Sequence, residues 1–161
     1  MKLLWLKVVP LLACLFMASG CTSGLKLSDV LVDVIAYRPT TSNTQAQITL
    51  RFNNENVFSI AIAGVSGKLY LNNTYVGKIE SQEAIGITRL GTLNRNVVLL
   101  IENPAFIQHL RDSVSTPSIS YRLESILLLE ASEDRMKMRY VSNGQIATTS
   151  LRAEPVGRPN S

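Results

Sequence analysis

The sequence predicts an all-β domain, an antiparallel β-sandwich of about seven strands with one short helix. Three observations carry that expectation. Apolar and polar residues alternate with period two through most of the chain between residues 28 and 152, most plainly from Gln45 to Phe52. Turn-forming residues punctuate the alternation at short intervals. The composition, 46% hydrophobic and 17% charged over 161 residues, fills the core of one ordinary domain and leaves no room for two.

The elements follow in order. Val30, Val32, Val34 and Ala36 share one face of a first strand, with Leu31, Asp33 and Ile35 on the other. In the second strand Ala46, Ile48, Leu50 and Phe52 face inward, while Gln45, Gln47, Thr49 and Arg51 face outward. After the polar turn Asn53, Asn54, Glu55, Asn56, the chain runs through Ile60 and Ile62 into Val65 to Leu71. It turns at Asn72 and Asn73, which tolerate positive φ, into Tyr75 to Ile79. Arg95 to Ile101 forms the next strand. Asn103 then caps a helix that starts at Pro104, with Phe106, Ile107 and Leu110 on one face and Gln108 and Arg111 opposite. Strands at Ile119 to Leu129 and Met136 to Val141 complete the pattern, the last turning at Asn143 and Gly144 into Ile146 to Leu151. Met136 and Met138 read as core-facing, with Arg135, Lys137 and Arg139 solvated.

Ahead of this domain, Met1 to Gly20 has the three parts of a secretory signal: a positive start with Lys2 and Lys7, an apolar stretch from Val8 to Met17, and small residues before a cysteine. The apolar stretch is too short to span a bilayer, which takes about 20 residues. Ala18, Ser19 and Gly20 before Cys21 resemble the bacterial lipobox, although Ala18 stands where Leu is usual. That resemblance implies a diacylglycerol on the Cys21 thiol, cleavage before it and acylation, such as palmitate, of the new amino group. Cysteine usage agrees, because Cys14 lies in the removed segment and Cys21 is left without a disulfide partner. Each buried methylene contributes about 0.8 kcal/mol, so several acyl chains hold a protein durably where one does not. Thr22 rather than Asp after the cysteine favours the outer membrane, facing the periplasm. The expected organisation is a signal over residues 1–20, a lipidated tether over 21–27, the domain over 28–152 and a loose tail over 153–161.

Charge adds little. Removing Lys2 and Lys7 from the 16 basic residues leaves 14 against 12 acidic ones, a net of +2. The basic residues are scattered and form no run with interleaved aromatics, so no nucleic-acid partner is expected. The membrane, reached through the lipid anchor, and an envelope protein are the expected partners.

Catalytic and metal chemistry find no foothold. His109 is the single histidine and sits among polar residues of the helix; no Gly-x-Ser-x-Gly elbow is present to pair a serine with it. Glu80, Glu83, Asp112, Glu130, Glu133 and Asp134 have no recognisable metal-ligand spacing. Gly64, Ser66, Gly67 and Lys68 lack the spacing of a phosphate loop. No catalytic residue, metal or cofactor is expected, and the chain reads as a non-enzyme.

The stretch from Ile48 to Gly77 resembles the late embryogenesis abundant (LEA) type 2 family, also described as the water stress and hypersensitive response (WHy) domain. The residues that carry the likeness are Phe52, Asn53, Asn54, Glu55 and Asn56, then Ile60 and Ile62, Leu69 to Asn72, and Val76 with Gly77. In the family's Asn-Pro-Asn turn, Asn53 would match the first Asn, Asn54 replaces the Pro, and one extra residue precedes Asn56. The likeness extends over about residues 28–150. It implies an immunoglobulin-like or fibronectin-III-like sandwich, a link to desiccation and stress tolerance, and no catalytic centre. The expected function is a membrane-anchored binding or stress-protective module; the alternative is an auxiliary lipoprotein docking onto an envelope transport or secretion complex.

Overall fold

The computed structural model describes residues 30–113, 115–131 and 134–152. The expected signal, the lipobox residues Ala18, Ser19 and Gly20, Cys21, the tether and the C-terminal tail lie outside the described residues.

The all-β expectation holds. The elements run β1 (Val30–Pro39), β2 (Gln45–Asn54), β3 (Ile60–Leu71), β4 (Thr74–Ser81), β5 (Ile85–Ile87), β6 (Thr92–Ile101), α1 (Pro104–Ser113), β7 (Ser118–Ala131), β8 (Asp134–Ala147) and α2 (Thr148–Arg152). Every strand pairing is antiparallel, and hydrogen bonding runs unbroken in the order β1-β2-β6-β4-β3-β7-β8, with β5 paired to the start of β3. The layers expected of a sandwich are therefore segments of one sheet curled over its own core. Its two edge strands, β1 and β8, come back against each other. Across that seam the backbone N–H of Val34 donates to the Tyr121 hydroxyl at 3.1 Å, tying β1 to β7.

Alternation supplies the core. Ala46, Ile48, Leu50 and Phe52 of β2 are fully buried, as the period-two pattern requires, and Ile119, Tyr121, Leu123, Leu127 and Leu129 of β7 meet them from the other side. The Asn72–Asn73 hairpin forms as expected, with φ of 45° and 64°. In α1 the Asn103 Oδ1 accepts from the Phe106 N–H at 3.2 Å, and Ile107 and Leu110 are buried over one end of the barrel.

Four expectations are corrected. In β1 the register slips between Val34 and Ala36, so Ile35 is an extra, exposed residue and the inward face passes from Val34 to Tyr37 instead of Ala36. Asn143 and Gly144 do not turn. They continue β8 opposite Arg122 and Tyr121, because a Cβ on Gly144 would stand 2.6 Å from the Tyr121 ring and only glycine lets that ring lie flat there. The segment beyond Ala147 is helix rather than strand: Thr148 donates its hydroxyl to the Thr116 carbonyl at 2.6 Å, its N–H bonds the Pro117 carbonyl, and Leu151 is buried. Met136 is 46% exposed near the start of β8, while Met138 packs at the core margin.

Candidate functional site

The family-motif residues form a buried polar junction. Asn54 is 0% and Asn56 2% exposed. The Asn54 amide donates to the Phe58 carbonyl at 2.9 Å and the Thr88 carbonyl at 3.0 Å; its Oδ1 accepts from the Asn56 backbone N–H at 3.0 Å and from Asn56 Nδ2 at 2.9 Å. Backbone bonds from Asn54 N to Gly91 O at 2.8 Å and from Leu90 N to Asn56 O at 3.0 Å complete the clamp. One side chain thus satisfies both sides of the β2–β3 connection and the β5–β6 connection, which is how two polar loops can be buried at low cost. Asn53 stays on the outer face, accepting from the Thr92 hydroxyl at 3.0 Å. Gly77 is a close approach: a Cβ there would lie 2.0 Å from the Leu100 carbonyl oxygen of β6. None of these positions lines the sheet's outer groove.

The cleft is elsewhere, on the outer face of β4, β3, β7 and β8. A groove of about 580 Å³ runs over Ser66, Lys68, Lys78, Glu80, Glu124, Ile126, Arg139 and Val141. Depressions lined by Tyr70, Tyr75 and Glu102 on one side and by Gln82, Leu128 and Lys137 on the other continue it. Register explains the lining. Lys78 pairs with Lys68, Lys68 with Glu124, and Glu124 with Val141, while Ser66 pairs with Ile126 and Ile126 with Arg139. Outward residues of four strands therefore line up in rows.

The ionic arrangement is specific. Two lysines directly opposite each other repel, and here carboxylates flank both. Lys78 Nζ lies 3.2 Å from Glu102, and Glu124 stands on the far side of Lys68. Glu102 also accepts from the Tyr75 hydroxyl at 2.9 Å; that bond, then the Lys78 contact, holds its carboxyl below the usual carboxylate range. Partial desolvation, then the Glu102 contact, raises the Tyr75 phenol above its ordinary value. The Arg122 guanidinium sits 4.3 Å over the Tyr70 ring and 3.5 Å from Glu124, and the Tyr70 and Tyr75 rings meet at 5.5 Å. The groove presents charges of both signs with exposed Ile126 and Val141 between them.

Chemistry-bearing residues do not gather there. His109 lies on the exposed side of α1 and does not line the groove. Among the described residues no three His, Cys, Asp or Glu side chains converge as metal ligands, and no helix is long and apolar enough to cross a membrane. The groove itself escapes sequence reading, because each lining residue reads only as the solvated half of an alternating strand. Only the pairing register brings them together.

No protein-family profile matches the chain, and no curated protein does. Solved structures do. AT1g01470 of Arabidopsis thaliana, determined in solution, superposes with a TM-score of 0.50 at 14% identity, covering 78% of this chain and 88% of that one. The two share a fold. A solution structure described as a candidate late embryogenesis abundant protein, At2g46140.1, aligns at 16% identity over 88% of this chain and 84% of its own, with a TM-score of 0.47. A crystal structure of an Archaeoglobus fulgidus protein aligns at 14% identity over 75% and 96%, with a TM-score of 0.45.

Proposed function

We propose that this chain is a lipid-anchored envelope lipoprotein of the LEA type 2 kind, a non-enzymatic module that binds through the outer groove of its sheet. The anchor rests on one observation: Ala18, Ser19 and Gly20 precede Cys21 behind a positively started apolar stretch. The family reading is supported by the resemblance over Ile48 to Gly77, while the fold shared with AT1g01470 supports the all-β architecture. Binding is supported by the groove, whose ionic rows are arranged around exposed apolar side chains. A stress-protective role in the envelope follows from the family resemblance alone.

The alternative, an auxiliary lipoprotein docked onto an envelope assembly, is favoured by Ile126 and Val141. They are neighbours on β7 and β8, and their exposed surface between charged residues has the composition of a small protein interface.

Crosslinking in intact cells tests these readings against a groove variant, Lys68→Glu with Val141→Asp. A stoichiometric partner captured by the parent and lost in the variant supports docking. Absence of any such partner for the parent, together with desiccation sensitivity of a strain lacking the protein, supports protection. If mass analysis of the exported product finds no acyl group on Cys21, the anchor is refuted.

A further inference from the structure

The anchored domain has two unlike ends. One end carries the start of β1, the β2–β3 connection, the β5–β6 connection and the paired ends of β7 and β8 at Ala131 and Asp134; Val30, the first described residue, pairs there with Asn54. The other end carries the β1–β2 connection with its hydroxyl-rich Thr40, Ser42 and Thr44, the Asn72–Asn73 hairpin, and both helices. The two most exposed large apolar side chains among the described residues, Val57 at 73% and Leu90 at 67%, lie at the first end. They are held side by side, because the Leu90 N–H bonds the carbonyl of Asn56, the residue before Val57. Leu90 adopts a left-handed backbone, φ 49°, that a leucine rarely accepts. A protein tolerates such a residue where the surrounding structure over-determines it, and this Leu, two-thirds exposed, gains little packing in return.

We propose that this end rests on the lipid surface, with Val57 and Leu90 inserted between headgroups. The inference rests on the anchor reading. From Cys21 to Val30 the chain spans at most about 30 Å even when fully extended, so the acyl chains leave the domain at the end that carries the two apolar tips. The tips then meet the bilayer without reorienting the domain. Glu55 and Arg89 flank the tips with opposite signs, and Glu130, Asp134 and Arg135 lie at the same end of the sheet, so no excess positive charge draws this end to anionic lipid and contact depends on apolar insertion, which neutral lipid allows. The polar opposite end points away, and the groove on the barrel's flank stays open to a partner.

The acylated mature chain, from Cys21 onward, reconstituted into phosphatidylcholine vesicles, tests this with an environment-sensitive fluorophore at Leu90→Cys, Val57→Cys or Asn73→Cys. Acylation of Cys21 leaves the introduced thiol as the one available to label. Lipid-borne quenchers should reduce emission at positions 57 and 90 at least about threefold more than at position 73, and adding anionic lipid should not change that ratio. Two tip variants guard against one of them perturbing its loop. Vesicle-bound protein with equal, weak quenching at all three positions overturns the proposal and leaves the anchor standing. Protein that lacks the acyl mass and stays free of vesicles overturns both.

Discussion

Asn54→Ala should be among the most damaging single substitutions in the chain although no ligand touches Asn54. The magnitude follows from its four side-chain hydrogen bonds. The two with Asn56 are buried, and removing the shared acceptor costs about 1–3 kcal/mol for each donor left facing an empty site. The carbonyls of Phe58 and Thr88 are only partly buried and can be rehydrated, at about 0.5–1 kcal/mol each. These ranges sum to about 3–8 kcal/mol, and even a value near the lower end, about 4 kcal/mol, is a large fraction of the 5–15 kcal/mol that holds a typical domain together. In urea, with a slope of about 1.5–2 kcal/mol per molar, the midpoint should fall by about 2 M at unchanged slope. Asn54→Asp keeps the shape but aims a carboxylate at two carbonyl oxygens, which raises its folded pKa above that of an unfolded Asp. The folded state then binds more protons between those two values, so stability falls as pH rises through that window, and the variant should suffer less at pH 4 than at pH 7. A loss below about 1 kcal/mol for Asn54→Ala, or a penalty for Asn54→Asp that does not grow with pH, would refute the assignment of this junction as the lock between the two loops.

Gly77→Ala should prevent β4 from pairing with β6, since its Cβ would overlap the Leu100 carbonyl; loss of more than about 3 kcal/mol in chemical unfolding, or no soluble folded protein, is the expected result. Gly144→Ala should displace the Tyr121 ring and cost about 2 kcal/mol, whereas Tyr121→Phe should keep the ring in place, cost about 1 kcal/mol through loss of the hydroxyl's bonds, and speed hydrogen exchange at the Val34 amide, whose acceptor is removed. Burial raises the phenols of Tyr37 and Tyr121 above the ordinary value of 10.0, the first against an opposing contribution from Arg111. Their neutral forms are thus favoured by folding, so this stability is whole below about pH 10 and is lost as pH rises through the folded values. Phenolate absorbance should appear at higher pH in the folded than in the unfolded chain.

The legible part of this protein was whatever depends on local period. The inward face of β2, the Asn72–Asn73 hairpin and the capped helix at Pro104 each rest on residues close in sequence, and each stands as read. The misread parts depend on a distant partner. Asn143–Gly144 has the composition of a turn, but the glycine is needed by a tyrosine on the neighbouring strand. Ala36 looks like the next inward member of an alternating run until the bulge at Ile35, set by the pairing with β2, passes the inward face to Tyr37. The short strand β5 exists because Ile85 and Ile87 fit beside the start of β3, and three residues carry no period of their own. The groove is the extreme case, since Lys68, Lys78, Glu124 and Val141 come from four strands.

The junction and the strained leucine form one device, and their coupling can be measured. Leu90→Gly alone should stabilise the domain by about 1 kcal/mol: glycine accepts a φ of 49° without the Cβ clash, and a side chain two-thirds exposed gives up little packing. That gain exists only while the loop is clamped. Asn54→Ala releases the Thr88 carbonyl, and with it the turn in which the Gly91 N–H bonds Thr88 O and the Leu90 N–H bonds Asn56 O. Leu90 can then relax towards negative φ, so in the Asn54→Ala background Leu90→Gly should gain less than half of what it gains in the parent. Full additivity would mean that the left-handed leucine is imposed by its immediate neighbours and not by the asparagine. If the coupling is found, the strain at Leu90 is being held by a buried network of about 4 kcal/mol, large enough to keep an apolar side chain pointed outward that the chain left to itself would turn away from water.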